Sequence, residues 1–243
     1  MQGGIVYGGL KYQARCIADV SADTDNTSFL AGTVTLKEEN EVHFIRLSPY
    51  GTELVCEGLF YHPSEIWDLK SCPFDSRIFS TVFTSGETYG ASIWEIPELY
   101  GQSNAPQLEE LVSLKEHASK LKCILWWPRG RHDKVISIDE GNLFLWSIDS
   151  SSKTAKVLRK ANSIENAHFR DVDYNPKKQH IIVTAEDESG IRIWDLRKPK
   201  FPMAELPGHV HWTWAVRYNP EYDDLILTAG TDSAVNLSIR LWM

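Results

Sequence analysis

The segment from residue 168 to residue 196 reads HFRDVDYNPKKQHIIVTAEDESGIRIWDL. It opens on His168, an apolar strand leads to Pro176, a β-branched run follows, and it closes around Trp194. Proline cannot donate a hydrogen bond to a strand ladder, so it marks the end of one strand. The β-branched run after it is typical of the next strand. The stretch therefore predicts short consecutive strands separated by polar turns.

The same order of landmarks occurs four times along the chain. The distance from the opening His to the Pro is 11 residues in three members and 8 in the quoted one, and the members open at His62, His117, His168 and His209. The closing Trp follows the Pro by 21 or 18 residues in the first three members, whereas Ser238 stands at that position in the last. The openings are 41 to 55 residues apart. This period, with an ending of the Trp-Asp type, is typical of a WD-repeat β-propeller.

We therefore predict an all-β WD40 β-propeller with about five four-stranded blades in one domain. The approximate blade boundaries are 1–60, 61–110, 111–160, 161–203 and 204–243. The first unit is less regular, but segments 29–34 and 42–47 are predicted strands. In the last unit, Trp212, Trp214 and Val216 alternate at period two. Because such residues share one face of a strand, we expect the two Trp rings to pack between blades rather than to form a ligand platform.

Net charge, apolar runs and the cysteine pattern argue against several classes of protein function. The net charge of −8 argues against a nucleic-acid partner, which needs a basic surface. No stretch approaches 18 consecutive apolar residues, so we expect no transmembrane segment, and residues 1–10 do not resemble a secretory signal. The four cysteines, Cys16, Cys56, Cys72 and Cys123, form no CxxC pair. This pattern indicates reduced thiols in a cytoplasmic protein rather than a disulfide framework or a zinc site.

The repeated histidines are interpreted as structural. In such a blade the His, a Ser or Thr on the second strand, an acidic turn residue and the Trp can form a buried hydrogen-bonded network. The predicted members are His168, Thr184, Glu188 and Trp194 in the fourth unit and His209, Thr228 and Asp232 in the fifth. His209 and His211 share a strand face but lack a third metal ligand. No nucleophile–base pair, phosphate-binding loop or cofactor motif is visible, so we predict no enzyme, no catalytic or metal residues and no cofactor.

Several separate segments resemble one family. They are residues 9–15 (Gly-Leu-Lys-Tyr-Gln-Ala-Arg), 31–45, 62–73 and 165–220, the last with His-Val-His-Trp-Thr-Trp at its core. In these segments the chain resembles the WD-repeat proteins that interact with the endosome-associated recycling (EARP) and Golgi-associated retrograde (GARP) tethering complexes. The resemblance implies a propeller scaffold without catalysis and tethering-complex subunits as partners. It also implies a cytoplasmic protein that is peripheral at endosomes and the trans-Golgi network.

The chain departs from the pattern of that family in three places. Members have about seven blades, whereas this chain stops in the fifth. The family spacing after the fourth-unit His is about three residues longer than the spacing after His168. The tail at 237–243 does not continue the family pattern. We therefore expect an incomplete, C-terminally truncated seven-bladed ring with uncovered apolar faces.

One local motif indicates a different partner. Trp194, Asp195 and Arg197 form a Trp-Asp-x-Arg ending. It resembles the box by which some WD-repeat proteins dock onto the adaptor of cullin-RING ubiquitin ligases, so a substrate receptor of such a ligase is the alternative function. The opposing interpretation is a plain blade ending with Arg197 in solvent. The predicted partner-binding residues are Trp194, Asp195, Arg197, His211 and Arg217.

Overall fold

The fold consists of strands only, in the part of the chain that the structure describes. The computed structural model describes residues 4–36, 39–97, 107–129, 133–164, 167–187 and 190–239. These ranges contain nineteen β-strands and no helix, arranged in five antiparallel sheets. Four sheets have four strands and the last has three. The all-β prediction is confirmed, with one sheet for each predicted blade.

The first compact unit comprises residues 1–116 and 149–154. Blade 1 contains β1 (Gln13–Asp19), β2 (Ser28–Val34), β3 (Asn40–Leu47) and β4 (Leu54–His62). Blade 2 contains β5 (Glu65–Cys72), β6 (Asp75–Ser85), β7 (Thr88–Glu95) and β8 (Glu109–Ser113). The predicted strands of the first blade lie within β2 and β3. The two sheets pack face to face over a core that includes Leu30, Val42, Phe60, Ile66, Leu69, Phe79 and Trp94.

The second compact unit comprises residues 117–148 and 155–243. Blade 3 contains β9 (Leu121–Trp126), β10 (Lys134–Asp139), β11 (Asn142–Asp149) and β12 (Thr154–Asn162). Blade 4 contains β13 (Phe169–Tyr174), β14 (Ile181–Glu186), β15 (Gly190–Asp195) and β16 (Ala204–Leu206). Blade 5 contains β17 (Thr213–Tyr218), β18 (Leu225–Gly230) and β19 (Val235–Ile239).

Blade 4 is buried on both faces because it lies between two other sheets. Successive side chains of a strand point to opposite faces, so β14 can serve two cores at once. Ile182 and Trp194 belong to the core shared with blade 3. Ile181 and Val183 belong to the core shared with blade 5. The nearly continuous apolar run of β14 follows from this double burial.

Carboxylates on β13 join blade 4 to blade 5. Asp171 accepts a hydrogen bond of 3.0 Å from the backbone N–H of Val216. Asp173 accepts one of 2.8 Å from the backbone N–H of Tyr218. Burial raises the pKa of Asp173, and the hydrogen bond from Tyr218, which lowers this pKa, does not outweigh burial. The two aspartates therefore pair backbone donors of β17 that no neighbouring strand of the same sheet satisfies.

The first and last blades each expose an apolar face. On blade 5 the exposed side chains are Leu227, Val235, Leu237 and Ile239. On blade 1, Ile17 and Val55 are exposed, and a hollow of about 320 Å³ is lined by Tyr7, Leu10, Ile17, Phe29, Ile45 and Leu54 among others. Apolar patches of this kind mark contact sites or aggregation hazards.

Candidate protein-binding surface

A complete hydrogen-bonded network stiffens blade 3. His117 donates through Nδ1 to Asp139 at 3.0 Å, and its Nε2 accepts from the Ser137 hydroxyl at 2.7 Å. The Trp146 indole donates to the same hydroxyl oxygen at 2.7 Å. Burial raises the pKa of Asp139, but the hydrogen bond from His117 and others from the following turn outweigh it and lower the pKa. The network ties the turn after β10 to strands β10 and β11.

Blade 2 has a similar network without a carboxylate. His62 donates through Nδ1 to the carbonyl oxygen of Ser64 at 2.8 Å and accepts from Thr81 at Nε2 at 3.1 Å. The Trp94 indole donates to Thr81 at 2.8 Å. Because burial disfavours the charged ring and no anion compensates, the pKa of His62 falls from 6.5 to about 4.

His62 should make the protein sensitive to mild acid. Its pKa in the folded state lies below the unfolded value, so its contribution to stability is complete above pH 6.5 and is lost as the pH falls toward 4. We expect the free energy of unfolding to fall by about 1 kcal/mol through this group between pH 7.5 and 5.5. Urea unfolding at both pH values gives the free energy of unfolding of the unmodified chain and of His62→Gln. The contribution of His62 is the difference between the changes that the two proteins show from pH 7.5 to pH 5.5. Equal changes would contradict the assignment.

The network predicted for blade 4 differs from the one that the structure contains. The Trp194 indole donates to Thr184 at 2.9 Å, and the Thr184 hydroxyl donates to Glu186 at 2.7 Å. His168 is exposed, and Glu188 lies outside the described residues. The physical reason lies in the loop length. Strand β13 starts directly after His168. No loop residues remain between them, so the His168 imidazole does not lie where it could contact Thr184.

In blade 5 the histidine contacts a carboxylate and a hydroxyl group, but the blade lacks the Trp. His209 donates through Nδ1 to Asp232 at 2.7 Å and accepts from Thr228 at Nε2 at 3.1 Å. Ser238 pairs with Ile226 at the position where blades 2, 3 and 4 have an indole that donates to the Thr or Ser. Both ring nitrogens of His209 are engaged, so they are not free to form a metal pair with His211. Among the described residues, no group of three or more His, Cys, Asp or Glu side chains could hold a metal ion.

The networks of blades 2 and 3 were not named from the sequence, although a signal for them exists. The His and the hydroxyl residue that it contacts are 19 residues apart in blades 2 and 5 and 20 apart in blade 3. In blade 4, His168 and Thr184 are only 16 apart. A His followed by a Ser or Thr at 19 or 20 residues therefore predicts the networks of blades 2, 3 and 5. The shorter separation in blade 4 predicts that His168 takes no part in a network.

The most prominent exposed cluster consists of Trp212, Trp214 and Arg170, which we call the Trp–Arg platform. The two indole rings meet edge to face with centroids 5.7 Å apart, and they are 44% and 48% exposed. The Arg170 guanidinium carbon lies 4.5 Å from one ring centroid and 4.7 Å from the other. Asp187 accepts from Arg170 Nη2 at 2.8 Å and holds the guanidinium in place. The platform is an aromatic surface that is open to solvent, with a guanidinium packed on both rings.

A β-bulge explains why both Trp side chains leave the core. The register between β17 and β18 shifts between Thr213 and Ala215. The strict alternation expected from residue 212 onward is therefore broken. Thr213 and Val216 are both buried, and Val216 packs against blade 4. Trp214, by contrast, is turned outward. Sequence periodicity cannot show a bulge. The extra residue changes which face of the sheet the neighbouring side chains point to, and no residue type is specific to a bulge.

The Trp-Asp-x-Arg ending is only partly accessible. Trp194 is 1% exposed, so its ring offers no contact surface to a partner. Arg197 is 66% exposed in its side chain and lies in the turn after β15. It donates to both carboxylate oxygens of Asp195, at 3.0 Å from Nε and at 2.7 Å from Nη2. Hydrogen bonding to Arg197 is the largest influence on the pKa of the Asp195 carboxyl group, and it lowers this pKa. Arg197 is therefore a solvent-facing cation held in a defined orientation.

The remaining predicted partner-binding residues both reach solvent. His211 is exposed next to the Trp–Arg platform. Arg217 is about half exposed and is paired with Asp171.

The residues that the structure describes form no helix that could span a membrane.

Comparison with known proteins identifies relatives along nearly the whole chain. The EIPR1 beta-propeller family model matches residues 1–167 and 155–238. The WD repeat-containing protein DWA2 of Arabidopsis thaliana is 58% identical over 280 residues, which cover 98% of this chain and 80% of the relative. The human EARP and GARP complex-interacting protein 1 is 28% identical over 96% of this chain and 76% of its own length. The Caenorhabditis elegans EARP-interacting protein 1 is 29% identical over 95% and 75%.

The comparisons also locate an internal difference from the relatives. The alignment with the Arabidopsis protein extends over 280 residues, although this chain has only 243. The aligned part of that relative is therefore longer than the whole chain by nearly the length of one repeat. Residues 155–167, which include most of β12, are matched twice by the family model. The two matched stretches together cover nearly all of the sequence, which confirms the resemblance, and the chain belongs to the EIPR1 beta-propeller family.

Proposed function

We propose that this chain is a non-enzymatic WD-repeat adaptor that binds a multisubunit tethering complex in endosomal recycling and retrograde vesicle traffic. The observation that carries the proposal is the similarity, over about 96% of the chain, to proteins named for their interaction with the EARP and GARP complexes. The adaptor acts in the cytoplasm and is peripheral at endosomes and the trans-Golgi network.

The Trp–Arg platform supports a binding role. Trp and Arg are enriched among the residues that dominate binding energy at protein interfaces. Trp212 and Trp214 are already ordered by each other and by Arg170, so little side-chain freedom remains to be lost on binding. His211 and the exposed Val210 extend the same surface. We propose the platform as the main contact for a tethering-complex subunit.

The mechanism is that of a rigid scaffold. The blade networks hold turns to inner strands, and the paired aspartates of β13 join blades 4 and 5. Side chains that project from these elements keep fixed spacings. A partner that contacts several of them at once binds without first ordering a flexible loop.

A pull-down with matched variants tests the proposal. The tagged 243-residue chain is expressed in cells, and bound proteins are quantified by mass spectrometry. We expect tethering-complex subunits with the unmodified chain and at least about a tenfold loss with Trp214→Ala, as for a binding hot spot. Phe201→Ala is the control, because Phe201 is 66% exposed and lies outside the platform. Failure to recover any subunit would refute the adaptor function, whereas equal loss with both variants would refute the role of the platform.

The orientation of Arg197 favours a second candidate function, docking to the adaptor of a cullin-RING ubiquitin ligase. A planar guanidinium that is exposed yet aligned by Asp195 is suited to a partner carboxylate or carbonyl group. The same pull-down separates the two functions. Arg197→Ala should abolish recovery of the ligase adaptor and leave tethering-complex subunits unchanged. Unchanged recovery of a ligase adaptor with this variant would count against docking through the motif.

A further inference from the structure

The turns at one end of blade 4 carry a cluster of positive charge, although the chain as a whole has a net charge of −8. One turn, residues 175–180, joins β13 to β14, and the other, residues 196–203, joins β15 to β16. Together they contain five Lys and Arg residues and no Asp or Glu. We call these five side chains the basic patch: Lys177, Lys178, Arg197, Lys198 and Lys200. Four of them are exposed and Lys178 is partly exposed.

Strand pairing places the two turns side by side. The antiparallel ladder between β14 and β15 starts where the first turn ends and stops where the second turn begins. The backbone N–H of Leu196 donates to the carbonyl oxygen of His180 at 2.8 Å. At the far end of the second turn, the backbone N–H of Met203 donates to the carbonyl oxygen of Ile193 at 2.7 Å. The cations of both turns are therefore carried by one anchored surface at the same end of the blade.

Nearby carboxylates offset only part of this charge. Asp195 pairs with Arg197 at 2.7 Å. Asp223 of blade 5 lies 3.3 Å from the Lys177 ammonium nitrogen and 3.6 Å from that of Lys178. Ion pairs at the surface are weak in water, and an ammonium group has three N–H donors, so these lysines can also contact a second anion. With two carboxylates against five cations, the patch remains positive.

The positive surface is limited to blade 4. The corresponding turn of blade 5, residues 219–224, contains three acidic residues, Glu221, Asp223 and Asp224. Blade 5 is joined to β13, which lies at the opposite edge of the blade 4 sheet from β16. An anionic partner is repelled by the acidic turn. We therefore expect such a partner to contact blade 4 mainly through residues 196–203.

Two exposed apolar side chains, Phe201 and Met203, lie in that same turn. The Lys200 ammonium nitrogen is 5.5 Å from the centre of the Phe201 ring. Pro199 and Pro202 fix the backbone angle φ at two positions, which lowers the conformational freedom that the turn loses on binding. Apolar side chains among cations suit the boundary of a lipid bilayer, where the ring enters the apolar layer and the ammonium groups stay among the headgroup phosphates.

We propose that the basic patch and Phe201 bind the surface of membranes that contain anionic lipids, so that this end of blade 4 faces the bilayer. Clustered Lys and Arg side chains are attracted to such surfaces, and burial of an apolar side chain adds to the attraction. Four of the five cations are Lys, which binds anions as a point charge without the planar geometry of Arg. This favours a diffuse layer of headgroups over the fixed carboxylates of an acidic peptide.

The basic patch and the Trp–Arg platform lie at opposite ends of blade 4. Arg170 is near the start of β13, whereas residues 175–180 follow the end of that strand. A strand of six residues spans roughly 20 Å. A membrane beneath the patch therefore leaves the platform open to a tethering-complex subunit. This arrangement rests on the proposed adaptor function and gives a physical reason for its peripheral place at membranes, but binding of the patch to lipid requires no other protein.

Flotation with lipid vesicles tests the proposal on the purified 243-residue chain. Vesicles of phosphatidylcholine alone are compared with vesicles that also contain about 30 mol% phosphatidylserine. We expect at least about tenfold more bound protein on the anionic vesicles, and a loss of this difference when NaCl is raised from about 0.1 M to about 0.5 M. Equal binding to both kinds of vesicle, or binding to neither, would overturn the proposal. Retention on immobilised polyglutamate without binding to anionic vesicles would also overturn it and would assign the patch to an acidic protein segment.

Charge-reversal variants separate the patch from the net charge of the chain. Lys198→Glu/Lys200→Glu should lower binding to the anionic vesicles by about tenfold or more. The matched control is Lys115→Glu/Lys120→Glu, which changes the net charge equally at two exposed lysines outside the patch. If both double variants bind the anionic vesicles equally well, the assignment to blade 4 is wrong.

Phe201→Ala distinguishes this inference from the adaptor function. We expect the variant to lower binding to anionic vesicles by about threefold or more, because the ring no longer enters the bilayer. Recovery of tethering-complex subunits from a detergent lysate requires no bilayer, so it should remain unchanged. The vesicle assay in turn contains no tethering complex, and either proposal can therefore fail without the other. Unchanged vesicle binding by Phe201→Ala would contradict the role of the ring.

Discussion

Replacing Glu186 with leucine is expected to lower the free energy of unfolding by about 3 to 5 kcal/mol. The Glu186 carboxylate is fully buried and pairs with Arg192, whose side chain is 2% exposed. The Thr184 hydroxyl also donates to Glu186. Removing the carboxylate leaves a buried guanidinium that still pairs with Glu205, which is more than half exposed. Chemical unfolding in urea at pH 7 gives the change in stability.

A double variant distinguishes loss of pairing from loss of packing. In Glu186→Leu/Arg192→Met both charges are absent, so no buried charge is left without a partner. We expect this protein to be more stable than the single variant, because apolar replacement of a buried ion pair is often neutral or favourable. If the single variant loses less than about 1 kcal/mol, or if the double variant is the less stable of the two, the ion pair does not have the role that its burial indicates.

Ser137→Ala is expected to lower the free energy of unfolding by about 2 to 4 kcal/mol. The Ser137 hydroxyl joins the His117 imidazole to the Trp146 indole at 2.7 Å on each side. Its removal leaves a buried indole N–H and a buried ring nitrogen without partners. Each such group costs about 1 to 3 kcal/mol when it is not hydrogen-bonded. Thermal or urea unfolding with the tryptophan fluorescence of the chain reports this loss.

Blade 5 supplies the comparison for that prediction. Thr228 contacts His209, but Ser238 replaces the Trp that would be its second partner. We therefore expect Thr228→Ala to cost less than Ser137→Ala, by about 1 kcal/mol or more. Equal costs would show that the indole contributes little to the blade network and that the hydroxyl–imidazole contact dominates.

Much of the architecture could be predicted from periodic features. The His-to-Pro and Pro-to-Trp spacings predict repeated strands, and the β-branched run of β14 predicts one of them. These features depend on local geometry, because a Pro ends a strand and β-branched residues favour one wherever they lie in the fold. The shortened spacing after His168 was also visible, and it explains why that ring does not join the network of blade 4.

The binding surface was less accessible to prediction. Arg170 and Trp214 are 44 residues apart in the sequence and meet only because β13 and β17 pack side by side. The bulge near Thr213 turns Trp214 outward, and no residue type announces a bulge.

The repeat, the all-β fold class and the likeness to one family can be read from the amino-acid sequence, since they depend on spacing along the chain. Which side chains meet can be read only from the folded chain, as for the Trp–Arg platform and the buried Glu186–Arg192 pair. Hydrogen bonds and ring contacts act over a few ångströms in space. Sheet packing and strand register set those distances, and neither can be measured along the sequence.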